Sequence, residues 1–189
     1  NCHIKTGDFV FERERPLTLN VSGQGEKLTR VGNSTYTVPG SVVSSSATYT
    51  PTTPVLDVEI GGADVPNLVN TTLSVQNNTN FKGYETLQNS LSVTNNTNAM
   101  YPNGFFLEDR IVSGNITQFV TSTNSSTFFD FSTNSNIAIK TLVNGSTFFN
   151  ANLTGCMFTK RIQVGEAIQD VIDFRLVSSP TNLNTIITY

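Results

Sequence analysis

Between Val55 and Val75 the chain reads VLDVEIGGADVPNLVNTTLSV, and this stretch narrows the fold more than any other. Leu56, Val58 and Ile60 fall on one side of an extended chain, Asp57 and Glu59 on the other. Gly61-Gly62 supplies the positive-φ positions that a tight reversal needs. After Pro66, Val69, Thr71, Leu73 and Val75 face one way and Asn70, Thr72 and Ser74 the other. Period two, a glycine break and period two again predict two strands joined by a connection containing Gly-Gly.

Most of the chain repeats this grammar. Leu17, Leu19 and Val21 alternate with Thr18, Asn20 and Ser22 as a half-buried strand that Gly23-Gln24-Gly25 should end, with Glu26–Val31 as its return. Phe105–Val120 is the longest strand candidate; Val112, Ile116 and Val120 share a face, and Gly114 marks a bulge or a close backbone approach. Ile137, Ile139 and Thr141 lead to Asn144-Gly145, a hairpin turn, from which Phe148–Met157 returns. Phe158, Lys160, Ile162 and Val164 alternate with Thr159, Arg161 and Gln163, and Ile172, Phe174 and Leu176 with Asp173 and Arg175. Ala167–Val171 reads as strand rather than helical turn, and Asn184–Tyr189 as a last extended piece.

Polar turns are expected at Gln76–Asn80, Asn95–Gly104 and Thr121–Ser126. Leu87 and Leu91 four apart, with Tyr84 a turn earlier, predict a short helix over Tyr84–Val93. About ten to twelve strands and at most one short helix make an all-β chain, an antiparallel sandwich or barrel. At 189 residues it is expected to be a single domain over 1–189. Its Ser/Thr-rich stretch at about 33–54, around the connector Gly40–Ser46, is long enough to act as an arm reaching outside the subunit.

Only 13% of residues are charged, with Asn, Ser and Thr filling the gap, yet thirteen Phe supply the apolar bulk of a folded core. Eleven Lys and Arg in a chain of net charge −3 argue against tight nucleic-acid binding. No apolar run approaches the roughly 20 residues of a spanning helix. No charged-then-apolar leader opens the chain, and a start at Asn1 rather than Met leaves open what precedes it.

Catalytic chemistry lacks its parts. Nucleophilic catalysis normally needs a histidine base, and the one histidine, His3, falls in a terminal segment expected to be flexible. Asp57 with Glu59 and Glu108 with Asp109 are carboxylate pairs, but the first reads as the wet face of a strand and the second, with Arg110, as local charge pairing. No Gly-Lys phosphate cradle occurs, and no catalytic, cofactor-binding or metal residue is assigned. Cys2 and Cys156 are read as free thiols, Cys156 buried as a small apolar residue. Asn-x-Ser/Thr sequons begin at Asn20, Asn33, Asn70, Asn77, Asn95, Asn115, Asn124, Asn144 and Asn152, against about five expected from composition alone.

Three stretches carry a family resemblance. VEIGGADVPN leading into TTLSVQNNTN, then FFLEDRIVSGNITQFV, then IAIKTLVNGSTFFNANLTGCMFTKRIQVGEAIQDVIDFRLV resemble segments of the tail tube (major tail) protein of long-tailed bacteriophages, over roughly residues 55–189. That resemblance implies a virion protein, assembled in the host cytoplasm, whose hexameric rings stack into a tube. Subunits join their sheets into a continuous inner barrel, an arm bridges to the next ring, and genomic DNA and a tape-measure protein occupy the lumen without sequence-specific binding. It implies no enzyme activity, cofactor or membrane contact, and puts some of Asp57, Glu59, Glu108 and Asp109 toward the lumen. The alternative reading, favoured by the sequons, is an exported β-sandwich: a surface glycoprotein, adhesin or receptor-binding module.

Overall fold

The computed structural model describes residues 2–12, 15–25, 55–81, 105–122, 124 and 133–188. These hold β1 (Cys2–Glu12), β2 (Thr18–Gly25), β3 (Val55–Ile60), β4 (Ala63–Asp64) and β5 (Leu68–Phe81). There follow β6 (Phe105–Phe119), β7 (Ser135–Val143), β8 (Ser146–Val164), β9 (Ile168–Leu176), a 3-10 turn at Leu183–Thr185 and β10 (Ile187–Thr188). Among the described residues there is no α-helix. The expected helix at Tyr84–Val93, the return at Glu26–Val31, the arm at about 33–54 and the turn at Asn95–Gly104 lie outside them.

All ten strands belong to one antiparallel sheet in the order β2-β1-β5-β6-β9-β8-β7-β3-β4, with β10 beside β8. The path is open and does not close into a barrel. It doubles back through β8. The first half of this 19-residue strand pairs with β7, and its second half, from Cys156 onward, pairs with β9. Gly155 marks the changeover at φ +77°, a conformation that costs glycine nothing. Phe9 and Phe11 of β1 meet Phe149 of β8 at ring-centroid distances of 5.2 and 5.3 Å. Two facing layers result: β2-β1-β5-β6-β9 with the second half of β8, and β7-β3-β4 with its first half.

Inward alternation fills the space between them. Leu73, Val112, Ile116, Ile137, Ile139, Leu153 and Ile172 are all buried to 1% exposure or less. Each such side chain contributes about 1.5–3 kcal/mol of burial. Gly114 sits here because nothing larger fits: a Cβ would stand 2.0 Å from the Thr72 carbonyl oxygen and 2.6 Å from the Phe174 ring. It is a close approach rather than a bulge, since β5 and β6 slip register at Leu68/Asn70 and Asn78/Thr79 instead.

Several expectations need correction. The reversal at Gly61-Gly62 (φ +62° and +82°) returns only into the two-residue β4, and β5 pairs with β1 and β6 rather than with β3. Gln76–Asn80 is no turn but the continuation of β5. Its amides bond across the ladder, Asn78 to Asp109 and Asn80 to Glu108, so polar side chains do there what apolar ones do elsewhere. Gly23-Gln24-Gly25 belongs to β2, Val120 falls just past β6, and of the described residues 184–188 only Ile187–Thr188 is strand. His3 lies in β1, 8% exposed and stacked on Phe105 at 4.5 Å, because register with β2 ties this segment down.

The turn at Asn144-Gly145 is as expected, both residues at positive φ (51° and 77°). Both cysteines are free, Cys2 exposed and Cys156 buried.

Candidate assembly surfaces

The side of the first layer turned away from the core is one continuous polar face. Register aligns Asn20, Asp8, Ser74, Ser113, Arg175 and Met157 in one row across six strands, and Thr18, Val10, Thr72, Asn115, Asp173 and Thr159 in the next. Short hydroxyl and amide side chains dominate. Ser74 donates to Asp8 at 2.5 Å, and Arg161 pairs with Asp173 at 3.4 Å, so much of its small charge is internally satisfied.

The four acids singled out in the sequence do not come together. Asp109 shares that polar face, in register with Asn78, and Glu108 sits beside it at the register slip. Asp57 and Glu59 lie on β3, in the second layer, with β9, β8 and β7 between β6 and β3 in the sheet. They converge with Asp64 within 4.8 Å, yet Lys140 enters the same cluster, bonded to Glu59 and 3.8 Å from Asp57. The bond to Glu59 raises the Lys140 pKa above its ordinary value against the opposing effect of burial. An ammonium already supplies the positive charge here, which makes this a surface ion-pair network of about 1 kcal/mol per pair or less rather than a cation site.

Two polar devices were missed in the sequence. Asp170, 2% exposed, accepts from Lys160 at 2.7 Å and from the Gln118 amide at 3.4 Å, pinning β8, β9 and β6 together. A signal existed: Lys160 stands in the same alternation as Phe158 and Ile162, and Asp170 in that of Ile172 and Phe174. The second device is Arg110, which donates to Asn77 at 2.7 Å and to the Pro180 and Thr181 carbonyls at 3.2 Å, while its backbone N–H bonds Ser179. It latches the C-terminal segment onto β6.

Asparagine has structural work that competes with glycosylation. Asn124, 2% exposed, donates to the Phe119 carbonyl at 2.7 Å and accepts from the Thr121 N–H at 2.6 Å. Asn77 donates to the Ile4 carbonyl and accepts from Arg110. Amides so engaged are poor glycan acceptors.

The edges of the sheet are less well protected. Among the described residues β2 pairs only with β1, and every residue of it is exposed. It was expected to be half-buried, but among the described residues no second layer covers its inward side, and Leu19 and Val21 are 50% and 53% exposed. With Ile4, Phe9, Leu183 and Ile187 they line an apolar groove of about 250 Å³. Met157–Val164 of β8 likewise has a described neighbour, β9, on one side only, and exposes Met157, Ile162 and Val164.

Among the described residues, a polar face without a reactive cluster and two edges without a further strand suit a part built into something larger. A family model for the Bacteriophage Baseplate Tube Protein Family matches residues 1–189. The chain belongs to that family. Membership makes it a structural component of the phage virion, in the tail, of the tail-tube type that the sequence resembled. It does not single out the major tail protein of long-tailed phages. No curated protein matches the chain. Among the described residues no helix is long and apolar enough to cross a membrane.

Proposed function

We propose that this member of the baseplate tube family is a ring-forming wall subunit of the conduit through which phage DNA leaves the particle. Copies assemble as hexameric rings that stack on one another, with the stretch at about 33–54 as the arm to the next ring. The observation that carries this reading is the open sheet. A ten-stranded sheet whose apolar edges meet no further strand among the described residues is suited to being completed by pairing with further copies.

The polar face of the first layer then lines the lumen. Its acids Asp8, Glu12, Glu108, Asp109 and Asp173 outnumber the cations Lys5, Arg161 and Arg175 among the described residues, so passing DNA or a tape-measure protein meets a surface that does not grip it. Asp57 and Glu59, in the other layer, face away. The reading involves no catalysis and no cofactor.

Electron microscopy of the purified full chain at increasing concentration tests it, together with antibody labelling of intact virions. Six-fold annular particles or short tubes, and label on the tail, are expected. A chain that stays single at all concentrations and is absent from the tail would overturn the proposal.

A further inference from the structure

We propose that Lys160 and Gln118 become joined by a side-chain amide, the Lys160 amine displacing ammonia from the Gln118 carboxamide with Asp170 as the acid–base group. Nothing in this bond depends on how copies assemble, so it stands apart from the tube reading. The three side chains sit on three neighbouring strands, on the core side of the first layer. Register places Gln118 of β6 opposite Asp170 of β9, and Asp170 opposite Ile162 of β8, the next residue after Lys160 in the same inward alternation. One oxygen serves both partners: Asp170 Oδ2 accepts from Lys160 Nζ at 2.7 Å and from Gln118 Nε2 at 3.4 Å. A carboxylate held between an amine and a carboxamide can take a proton from the first and deliver it to the second. Water, which would carry the amide to the acid instead, is kept out. Gln118 and Asp170 are 1% and 2% exposed, and Ile116 and Ile172 in the adjoining inward row are fully buried.

Gln118 is also an odd occupant of a finished core, since its Oε1 is buried with no hydrogen-bond partner among the described residues. With the amide turned over, an exchange of near-identical atoms, that oxygen takes the place of Nε2 beside Asp170. This is the reactive orientation, and the atoms then balance without a further reagent. Lys160 passes a proton to Asp170, and its free amine adds to Gln118 Cδ while the Asp170 acid supports the oxygen on which charge develops. The bond from Cδ to the original amide nitrogen breaks. That nitrogen leaves as ammonium, carrying two protons relayed from Lys160, and Asp170 ends as the carboxylate it began as. Nothing is oxidised or reduced. Lys140 offers the contrast: among the described residues Asp57 and Glu59 bond no carboxamide, and the bond to Glu59 holds the Lys140 pKa above its ordinary value, which keeps the amine protonated. A bond between residues 118 and 160 closes β7 and the first part of β8 into a loop that denaturation cannot open.

Mass spectrometry of the full chain, made in a bacterial host and denatured before measurement, tests the bond. The wild type should weigh one ammonia less than its sequence. Trypsin should leave Lys160 uncut and release a branched product that carries both Gln118 and Lys160. Asp170→Asn, of the same size, should return the mass to that of the sequence, and so should Lys160→Arg. A wild-type mass equal to the sequence would overturn the proposal. So would loss of ammonia traced to another place, such as Lys140 with Asn150 or the exposed Asn144-Gly145 turn, and so would loss of water, which would join Lys160 to Asp170 instead. Should Asp170→Asn fail to fold, the wild-type digest decides alone: separate linear peptides containing Gln118 and Lys160 would overturn the bond. Each of these failures leaves the tube reading standing, because microscopy and virion labelling read assembly rather than mass.

Discussion

Gly114 shows how little room one atom can have in this protein. Its missing Cβ is the space that the Thr72 carbonyl and the Phe174 ring occupy. Gly114→Ala should lower stability by about 3 kcal/mol in urea unfolding, since backbone cannot yield as a side-chain tip can. Cys156 makes a different demand. Burial pushes its thiol pKa up to about 12, against an ordinary value of 9.0. The unfolded chain therefore gives up this proton first, and stability falls as pH rises from about 9 to about 12. Wild type should lose stability more steeply than Cys156→Ala over that range. At neutral pH a maleimide should label Cys2 quickly and Cys156 only after unfolding, as mass spectrometry of the native and denatured chain would show. Sequence conveyed part of this: an isolated Cys among apolar neighbours reads as buried, and a Gly in a strand reads as a close approach. Which backbone atom approaches Gly114 follows only from pairing over distances that local pattern does not encode.

At the scale of elements, the strands were legible where inward and outward residues alternate cleanly, as at Leu56–Ile60 and Ile137–Thr141. Gln76–Asn80 was misread because Asn runs usually mark turns; here their amides bond to Asp109, Glu108 and Arg110 on β6 and keep the strand going. The two pieces Phe148–Met157 and Phe158–Val164 proved to be one strand for a related reason. A single left-handed glycine lets β8 turn from one layer to the other without ending. Local pattern also cannot say which strands are neighbours: β3 and β5, successive strands around Gly61-Gly62, do not pair with each other. Arg110 makes a prediction at this scale. Arg110→Met should raise amide exchange and protease cutting across residues 177–188 about tenfold while leaving β7–β8 unchanged, because it removes the side-chain bonds to Pro180 and Thr181.

For the molecule as a whole, the contact of Phe9 and Phe11 with Phe149 is what makes two layers of one sheet. Phe149→Ala should cost about 3–5 kcal/mol and shift the whole unfolding transition, measured by fluorescence and by far-UV circular dichroism together. Separate transitions would mean the layers fold independently. The sequence pointed to a sandwich or barrel and to a tube-type virion protein; it did not show the four acids dividing between two faces, since that depends on the order of strands. The assembly surfaces were least legible of all. Leu19 and Val21 alternate like any core residues, and only their exposure in the folded subunit distinguishes them.

The continuity of β8 has a mechanical consequence. At about 3.3 Å per residue, its 19 residues run some 60 Å as unbroken backbone through both layers. A shearing force on one layer is carried to the other by covalent bonds, so the subunit should yield at its contacts with neighbours before it tears within itself.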